Sequence, residues 1–220
     1  MGVKHPSLIR FDCDGVLVDT ETLSNDFMAG IITRRGFPIT GAQCRQRFVG
    51  LKLLSVRDKI LAEDGFDLGD DFADEMYDGL PDLFAKGVNA IEGVETAIKA
   101  IRKAGIPYCV GSSGKIEKMH MTLGSCGLLP YFEDVLFSAW NVARGKPHPD
   151  LFLHAANQMG HDLENCVVVE DSAFGVQAGM SAGMRVLAYA GDPTSNRQAL
   201  EAAGGELFDK MSDLPKLIGI

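Results

Sequence analysis

Two aspartates that follow a short apolar segment are the residues of this 220-residue chain best placed to do chemistry. The segment Leu8–Phe11 has the length of a buried strand, and Asp12, Asp14 and Gly15 follow it. In an extended chain, side chains two residues apart point to the same side, so we expect the two carboxylates to lie close together. Their repulsion then requires a cation or positive dipoles nearby. The alternative is a solvated turn at the end of the strand, where Asp and Gly are common.

The segments that must position these aspartates alternate between helix and strand. From about residue 89 onward, short apolar runs of strand length alternate with amphipathic helices, which predicts a parallel sheet with right-handed crossovers. The first strand belongs to that sheet, whereas residues 20–87 have helical periodicity. The sequence therefore predicts an α/β core of residues 1–19 and 88–220, with a helical cap of residues 20–87 inserted after the first strand.

Polar residues follow three further predicted strands, at the edge where open parallel sheets bind ligands. Ser112 and Ser113 come after one strand, Lys146 after the next, and Glu170 with Asp171 after the third. Small hydroxyl residues at the start of a helix suit an anion such as phosphate. Each group also has a purely structural interpretation: the serines as a helix N-cap, the lysine as a solvated loop charge, and the acids as part of a first helical turn.

Charge balance predicts a metal ion at this edge. If Asp12, Asp14, Glu170 and Asp171 meet there, four negative charges face the single positive charge of Lys146, an excess of about −3 that would repel a phosphate. A divalent cation removes this repulsion, and a site built from carboxylate oxygens suits Mg²⁺. An EF-hand calcium site fits poorly, because a glycine directly follows the second acid and the later glutamate is missing.

The overall composition excludes several classes of partner. The net charge of −9 and the pI near 5.0 disfavour nucleic acid and anionic membranes as ligands. The five cysteines are scattered and lie mostly in apolar segments, which indicates reduced thiols and a cytoplasmic protein. The sequence does not distinguish a monomer from a small homo-oligomer.

The motifs resemble those of the haloacid dehalogenase superfamily of phosphohydrolases. Four segments carry the resemblance: FDCDGVLVDTE at 11–21, VGSSG at 110–114, GKPHPD at 145–150 and VVVEDSAFG at 167–175. The helical insertion is similar to that of the β-phosphoglucomutase branch and its phosphosugar phosphatases, including those acting on 6-phosphogluconate. The resemblance implies a Rossmann-like three-layer core with a C1-type cap. It also implies a Mg²⁺-dependent phosphatase that acts on a small phosphorylated metabolite, a sugar or sugar-acid phosphate, through an aspartyl-phosphate.

The same resemblance implies a role for each motif residue. Asp12 is implied as the nucleophile, and Asp14 as the general acid that later activates water. Ser112 would hold the phosphoryl group, while Lys146 would orient Asp12 and offset charge. Phosphoryl transfer needs mainly alignment and charge neutralisation, so a weak carboxylate nucleophile suffices. The implied Mg²⁺ ligands are Asp12, the main-chain carbonyl of Asp14, Asp171 and, directly or through water, Glu170.

Substrate selectivity is expected from the cap. The predicted substrate-binding residues are Gly50, Leu51 and Lys52 in the cap and Ser112, Ser113 and Lys146 in the core. β-Phosphoglucomutases carry a histidine in the first cap helix and an arginine just after the glycine of this cap loop. The matching positions here hold Ser24 and Leu51, which favours a phosphatase.

Two alternatives stay open. Lys52 could replace the missing arginine, which keeps a phosphosugar mutase as the nearer alternative. A catalytically silent binding or regulatory domain is the alternative from another class, because a fold does not determine a function. The complete set of motif residues argues against a silent domain.

Overall fold

The computed structural model describes residues 5–48 and 53–220, and the chain divides into two compact units. The core unit comprises Met1–Asp19 and Asn89–Ile220, and the helical unit comprises Thr20–Val88. At the ends of the insertion, strand β2 (Val18–Asp19) pairs antiparallel with strand β3 (Asn89–Ala90). This short ribbon holds the two ends of the insertion side by side, so the helical unit interrupts the core sequence without disturbing the main sheet.

The core unit is built on a six-stranded sheet in which every neighbouring pair is parallel. Its order is β5-β4-β1-β6-β7-β8. All residues of the central strands β1 and β6 are buried, as expected for a sheet covered on both faces. The predicted Rossmann-like α/β fold class is confirmed. The strand bounds are β1 Leu8–Phe11, β4 Tyr108–Ser112, β5 Leu136–Ser138, β6 Cys166–Glu170, β7 Arg185–Tyr189 and β8 Glu206–Phe208.

Helices connect the strands and bury their apolar faces against the sheet. Leu151, Phe152 and Val176 pack with Val168 and Val186 in one hydrophobic cluster. Burying side chains of this size stabilises the fold by about 1.5–3 kcal/mol each. The helices are α5 Val94–Lys103, α6 Ile116–Ser125, α7 Leu129–Phe132, α8 Asp150–Met159, α9 Ala173–Ser181, α10 Arg197–Ala202 and α11 Leu214–Leu217, with 3₁₀ turns at Ala139–Asn141, Leu163–Asn165 and Met211–Asp213.

The helical unit contains α1 (Thr20–Arg34), α2 (Gly41–Phe48), α3 (Leu53–Asp64) and α4 (Phe72–Ala85). A capping box begins α2: the Gln43 amide N–H donates to Thr40 Oγ1 over 3.2 Å, and the Thr40 amide N–H donates to Gln43 Oε1 over 2.9 Å. The unit has its own hydrophobic cluster, formed by Met28, Ala29, Ile31, Ile32, Cys44, Phe48, Val56, Ile60, Leu68, Phe72 and Met76.

An arginine at the end of α1 links that helix to the start of α4. Arg35 donates to Asp71 Oδ1 over 2.6 Å and to Glu75 Oε2 over 2.7 and 3.1 Å. These bonds lower the pKa of both carboxyl groups. All five cysteines of the chain are free. Within residues 5–48 and 53–220, none of the helices has the length and hydrophobicity of a membrane span.

Candidate active site

The loop after β1 holds Asp12 and Asp14 through main-chain bonds. The Asp12 N–H donates to the Val169 carbonyl of β6 over 2.9 Å, and the Gly15 N–H donates to the Val18 carbonyl over 2.9 Å. Gly15 has φ +76°, a conformation that glycine adopts readily, and a Cβ at this position would lie 1.9 Å from Asp171 Oδ2. The glycine therefore allows both the turn and the close approach of Asp171.

Lys146 forms a buried ion-pair cluster with Asp12 and Glu170. Its Nζ donates to Asp12 Oδ1 over 2.7 Å and also to Glu170 Oε1. The exposed fractions of the three side chains are 6%, 11% and 0% respectively. Burial raises the pKa of Asp12 to about 7, with Glu170 adding to the rise and Lys146 opposing it. Burial also disfavours the charge of Lys146, but the two carboxylates outweigh it, so the pKa of Lys146 lies above its ordinary value.

Glu170 is the last residue of β6 and lies beneath the N-terminus of α9. Its Oε2 accepts hydrogen bonds from the main-chain N–H groups of Asp171 and Ser172, both over 3.2 Å, and from Ser172 Oγ over 2.9 Å. Ser172 itself caps α9 by accepting from the Gly175 N–H over 3.1 Å. The interpretation of Glu170 and Asp171 as residues of a first helical turn is therefore wrong, because both precede the helix.

Three of the four predicted metal residues come together. In the described part of the chain, Asp12, Glu170 and Asp171 each offer a carboxylate oxygen, and these oxygens lie within 4.8 Å of one another. The set fits a hard divalent cation, because it contains only oxygen donors. The Asp14 carboxylate is not in this group. Asp14 was expected to contribute its main-chain carbonyl, and that contribution remains a prediction.

The Asp14 carboxylate instead binds a lysine that the motif analysis did not select. Lys118 Nζ donates to Asp14 Oδ1 over 2.9 Å and to Oδ2 over 2.8 Å. Burial opposes the charge of Lys118, but Asp14 outweighs it, so the pKa of Lys118 is raised. Lys118 is the third residue of α6, and a cation in the first turn of a helix is unfavourable without a partner. A lysine in the first turn of a predicted helix was therefore the sequence feature that could have identified Lys118 as a functional residue.

A second cation missed by the motif analysis lies on β1 itself. Arg10 is two residues before Asp12, so both point to the same face of the sheet, and only 1% of its surface is exposed. Its guanidinium carbon lies 3.5 Å from the ring centroid of Phe152, while Lys146 Nζ lies 5.6 Å from the same centroid. Burial lowers the pKa of Arg10 to about 10. A charged residue inside a short buried strand was the sequence feature that could have identified Arg10.

These two cations correct the predicted charge balance. Arg10 interacts electrostatically with Glu170 and Asp12, and Lys118 and Lys146 bind Asp14 and Asp12. Three cations therefore stand against the four acids, and the excess is about −1 and not −3. The sequence-based count was wrong because it included only cations in loops after strands, whereas Arg10 lies within a strand and Lys118 within a helix. With all four acids ionised the balance is still negative and would repel a phosphate.

Ser112 ends β4, next to β1, and is 1% exposed. Its Oγ accepts from the Gly114 N–H over 3.0 Å. Helix α6 begins only at Ile116, with Lys115 at its N-cap position. The two serines therefore precede the helix by several residues, and the interpretation of Ser112 or Ser113 as its N-cap is wrong. Ser113 is exposed.

The comparison with protein families identifies the fold family. The model of the haloacid dehalogenase-like hydrolases matches residues 6–183. The chain belongs to this family. The matched range contains all four segments that carried the resemblance, and it includes strands β1 to β6 and the helical insertion.

Known haloacid dehalogenase-like hydrolases similar to this chain include characterised phosphatases. The 6-phosphogluconate phosphatase of Escherichia coli is 35% identical over 95% of this chain and 93% of its own length. Hexitol phosphatase A of the same organism is 29% identical over 81% of this chain and 80% of its own. A crystal structure of a haloacid dehalogenase family hydrolase from Deinococcus radiodurans, with bound phosphate and sodium, superposes with a TM-score of 0.86 and is 30% identical, covering 96% of this chain and 94% of that chain. This haloacid dehalogenase-like hydrolase is a phosphoric monoester hydrolase.

The structure describes only some of the residues that were predicted to bind the substrate of this hydrolase. Gly50, Leu51 and Lys52 lie outside the described residues, so their expected contact with the substrate remains a prediction. Ser24, at the position of the mutase histidine, lies within α1.

Proposed function

We propose that the protein is a Mg²⁺-dependent phosphatase that hydrolyses a small phosphorylated sugar or sugar acid through an aspartyl-phosphate. The observation that carries the proposal is the 2.7 Å contact between Lys146 Nζ and Asp12 Oδ1 in a buried cluster with Glu170. The cluster lies at the carboxyl edge of a parallel sheet, where ligands of such sheets bind. The lysine points one carboxylate oxygen of Asp12 in a fixed direction and leaves the other for the substrate.

The cluster of three carboxylates, from Asp12, Glu170 and Asp171, supports a Mg²⁺ site. Its oxygens lie within 4.8 Å of one another, and the main-chain carbonyl of Asp14 would complete the protein ligands. When bound, the cation supplies positive charge that neutralises the phosphoryl oxygens and favours the ionised form of Asp12. The phosphate and sodium in the Deinococcus radiodurans structure support binding of an anion and a cation by a relative of this fold.

The residues of the chain account for both half-reactions. Asp12 attacks phosphorus while the bond between phosphorus and the leaving oxygen breaks. Asp14 donates a proton to that oxygen, so an alcohol departs. Asp14 then takes a proton from water, whose oxygen attacks phosphorus. The bond between phosphorus and Asp12 breaks, inorganic phosphate is released and the Asp12 carboxylate is restored. Lys146 holds Asp12, and the hydroxyl of Ser112 donates to a phosphoryl oxygen.

The names of the relatives support the substrate class. One acts on 6-phosphogluconate and another on hexitol phosphates, so we expect a polyhydroxylated phosphate ester. Gly50, Leu51 and Lys52 would bind the part of the substrate away from phosphorus, as predicted from the sequence. Five free cysteines suit a reducing compartment, and we propose a cytoplasmic location.

A panel of phosphate esters tests this proposal. Phosphate release is measured with 6-phosphogluconate, hexose phosphates, glucose 1-phosphate and phosphoglycolate, in Mg²⁺ and in a chelator. We expect release that requires Mg²⁺ and falls below detection in Asp12→Asn, while Asp134→Asn, an exposed acid, retains wild-type rates. Isomerisation of β-glucose 1-phosphate without phosphate release would support the mutase. Absence of turnover across the panel would contradict the proposed substrate class.

A further inference from the structure

We propose that Lys118 is a positioning residue that orients the Asp14 carboxylate for proton transfer to the leaving group. This inference rests on the proposed function, because it gives Asp14 the role of general acid. It concerns a residue outside all four sequence motifs. Lys118 and Asp14 are 104 positions apart in the chain, so the fold and not local sequence brings them together.

Lys118 contacts both oxygens of the Asp14 carboxylate. Lys118 Nζ donates to both oxygens of Asp14, over 2.8 and 2.9 Å. An ammonium placed between both oxygens restricts rotation of the ionised carboxylate. When one oxygen carries the proton that Asp14 transfers, the other can still accept from Lys118, so the lysine holds the orientation in both forms. The side chains are 35% and 26% exposed, so the pair is partly shielded from water but open to a substrate at the sheet edge.

The surroundings of Lys118 hold it in place. The Thr122 hydroxyl donates to the Lys118 carbonyl over 3.0 Å, and the next residue, Met119, is buried. The aliphatic stem passes Gly114: a Cβ on that glycine would lie 3.3 Å from Lys118 Cδ and 3.4 Å from Ser112 Oγ. Gly114 therefore provides the space through which the stem reaches Asp14. The loop holds the main chain of Asp14, and the two bonds from Lys118 restrict its side chain.

The expected effect depends on the leaving group. An alkoxide needs a proton as it departs, whereas p-nitrophenolate departs readily without one, and general acid catalysis contributes about 10²–10⁴-fold. The ratio kcat/KM reports the steps up to departure of the alcohol, so the later hydrolysis step does not affect it. A mispositioned Asp14 should lower kcat/KM for an alkyl phosphate much more than for p-nitrophenyl phosphate.

The test compares Lys118→Met, Lys118→Gln and Lys118→Arg with wild type on both esters in Mg²⁺, the alkyl ester being the best one from the panel. We expect Lys118→Met to lose about 100-fold in kcat/KM for the alkyl ester and less than about fivefold for the aryl ester. Lys118→Arg should recover most of the loss, because it can donate to both oxygens, and Lys118→Gln should lie between. Lys99→Met removes a pair of the same 2.8 Å length on an exposed helix face and serves as the matched control.

Asp14→Asn separates the two proposals. Asp14→Asn should also lower kcat/KM much more for the alkyl ester than for the aryl ester. The double variant Asp14→Asn with Lys118→Met should show no larger loss of kcat/KM than Asp14→Asn alone. Equal losses on the two esters in Lys118→Met, or no loss, would overturn the role of Lys118 while leaving the proposed function intact. An Asp14→Asn variant without the selective loss would overturn the role of Asp14 and this inference together.

Discussion

A Cβ on Gly175 would lie 2.0 Å from Cδ of Glu170 and 2.1 Å from each of its carboxylate oxygens. Real Cβ atoms do not approach other atoms this closely, so a side chain at position 175 would displace the carboxylate. The first turn of α9 can therefore close over Glu170 only because residue 175 is glycine. Glu170 in turn binds Lys146, which binds Asp12.

We expect Gly175→Ala to destabilise the protein by about 1–3 kcal/mol through overpacking and to lower activity at least about tenfold. In a helix, alanine otherwise gains up to about 1 kcal/mol over glycine, so a loss must come from the contact with Glu170. Urea unfolding and phosphate release measure the two effects. Gly124→Ala in α6 is the control, because its Cβ would have Leu129 Cδ2 as nearest neighbour at 3.8 Å. Equal stability of the two variants would contradict the prediction.

Asp12→Asn should change the pH dependence of stability in metal-free buffer. The pKa of Asp12 is raised to about 7, above the value of about 3.9 for an unfolded chain. The folded state therefore binds a proton more tightly than the unfolded state, so this group lowers the free energy of unfolding as pH rises from about 4 to 7. We expect Asp12→Asn to be more stable than wild type at pH 8 and the difference to shrink towards pH 5.

Denaturant unfolding in a chelator at several pH values measures this difference. The same series in Mg²⁺ is the control, because a cation at the cluster favours the ionised aspartate and should stabilise wild type more than the variant. A constant difference between pH 5 and pH 8 in the chelator would contradict the raised pKa.

Arg10→Met should stabilise the fold. In the described residues, none of the three guanidinium nitrogens of Arg10 has a hydrogen-bond partner, although its guanidinium stacks on Phe152. Burying charged donors without hydrogen-bond partners costs about 1–3 kcal/mol or more, and an apolar residue of similar length removes that cost. The free energy of unfolding by urea checks this. Arg185→Met, which removes a partly exposed pair with Glu206, should cost less than about 1 kcal/mol. A clear loss of stability in Arg10→Met would show that Arg10 is needed to offset the acids above it.

Arg35→Met should destabilise the chain in a pH-dependent way. Hydrogen bonds from Arg35 lower the pKa of Asp71 and of Glu75. Groups with a lowered pKa contribute stability above their unfolded pKa of about 4, and this contribution disappears as pH falls through the folded pKa. The urea midpoint of Arg35→Met should lie below that of wild type at pH 7, and the two should converge below pH 4. Arg57→Met removes ion pairs with Asp58 and Asp70, whose side chains are both exposed, and should leave the midpoint nearly unchanged at both pH values.

Sequence analysis predicted the parts of this molecule that local patterns encode. The fully apolar run before Glu170 predicted the buried strand β6, and alternating segments predicted the parallel sheet. Among the elements it missed, α10 and β8 each have one buried residue, Leu200 and Phe208, so their hydrophobic periodicity is too weak to detect.

In the candidate site too, local sequence patterns predicted some of the residues and not others. Asp12, Lys146, Glu170 and Asp171 each follow a predicted strand, and the parallel topology alone brings them to one edge. Lys118 and Arg10 lie inside a helix and a strand, where a charge is normally solvated or absent. Their partners, Asp14 and the ring of Phe152, are distant in sequence, and only the three-dimensional packing reveals them.

The position of β1 in the sheet has a consequence for folding. Arg10 of β1 has Cys109 and Val168 as its register partners, so during synthesis the strand is complete long before either neighbour exists. Until then both of its edges are unpaired, a state in which an apolar strand can add to another chain. A charge in the middle of such a strand is the feature that natural sequences use against aggregation. Arg10 would therefore act as a gatekeeper in the nascent chain.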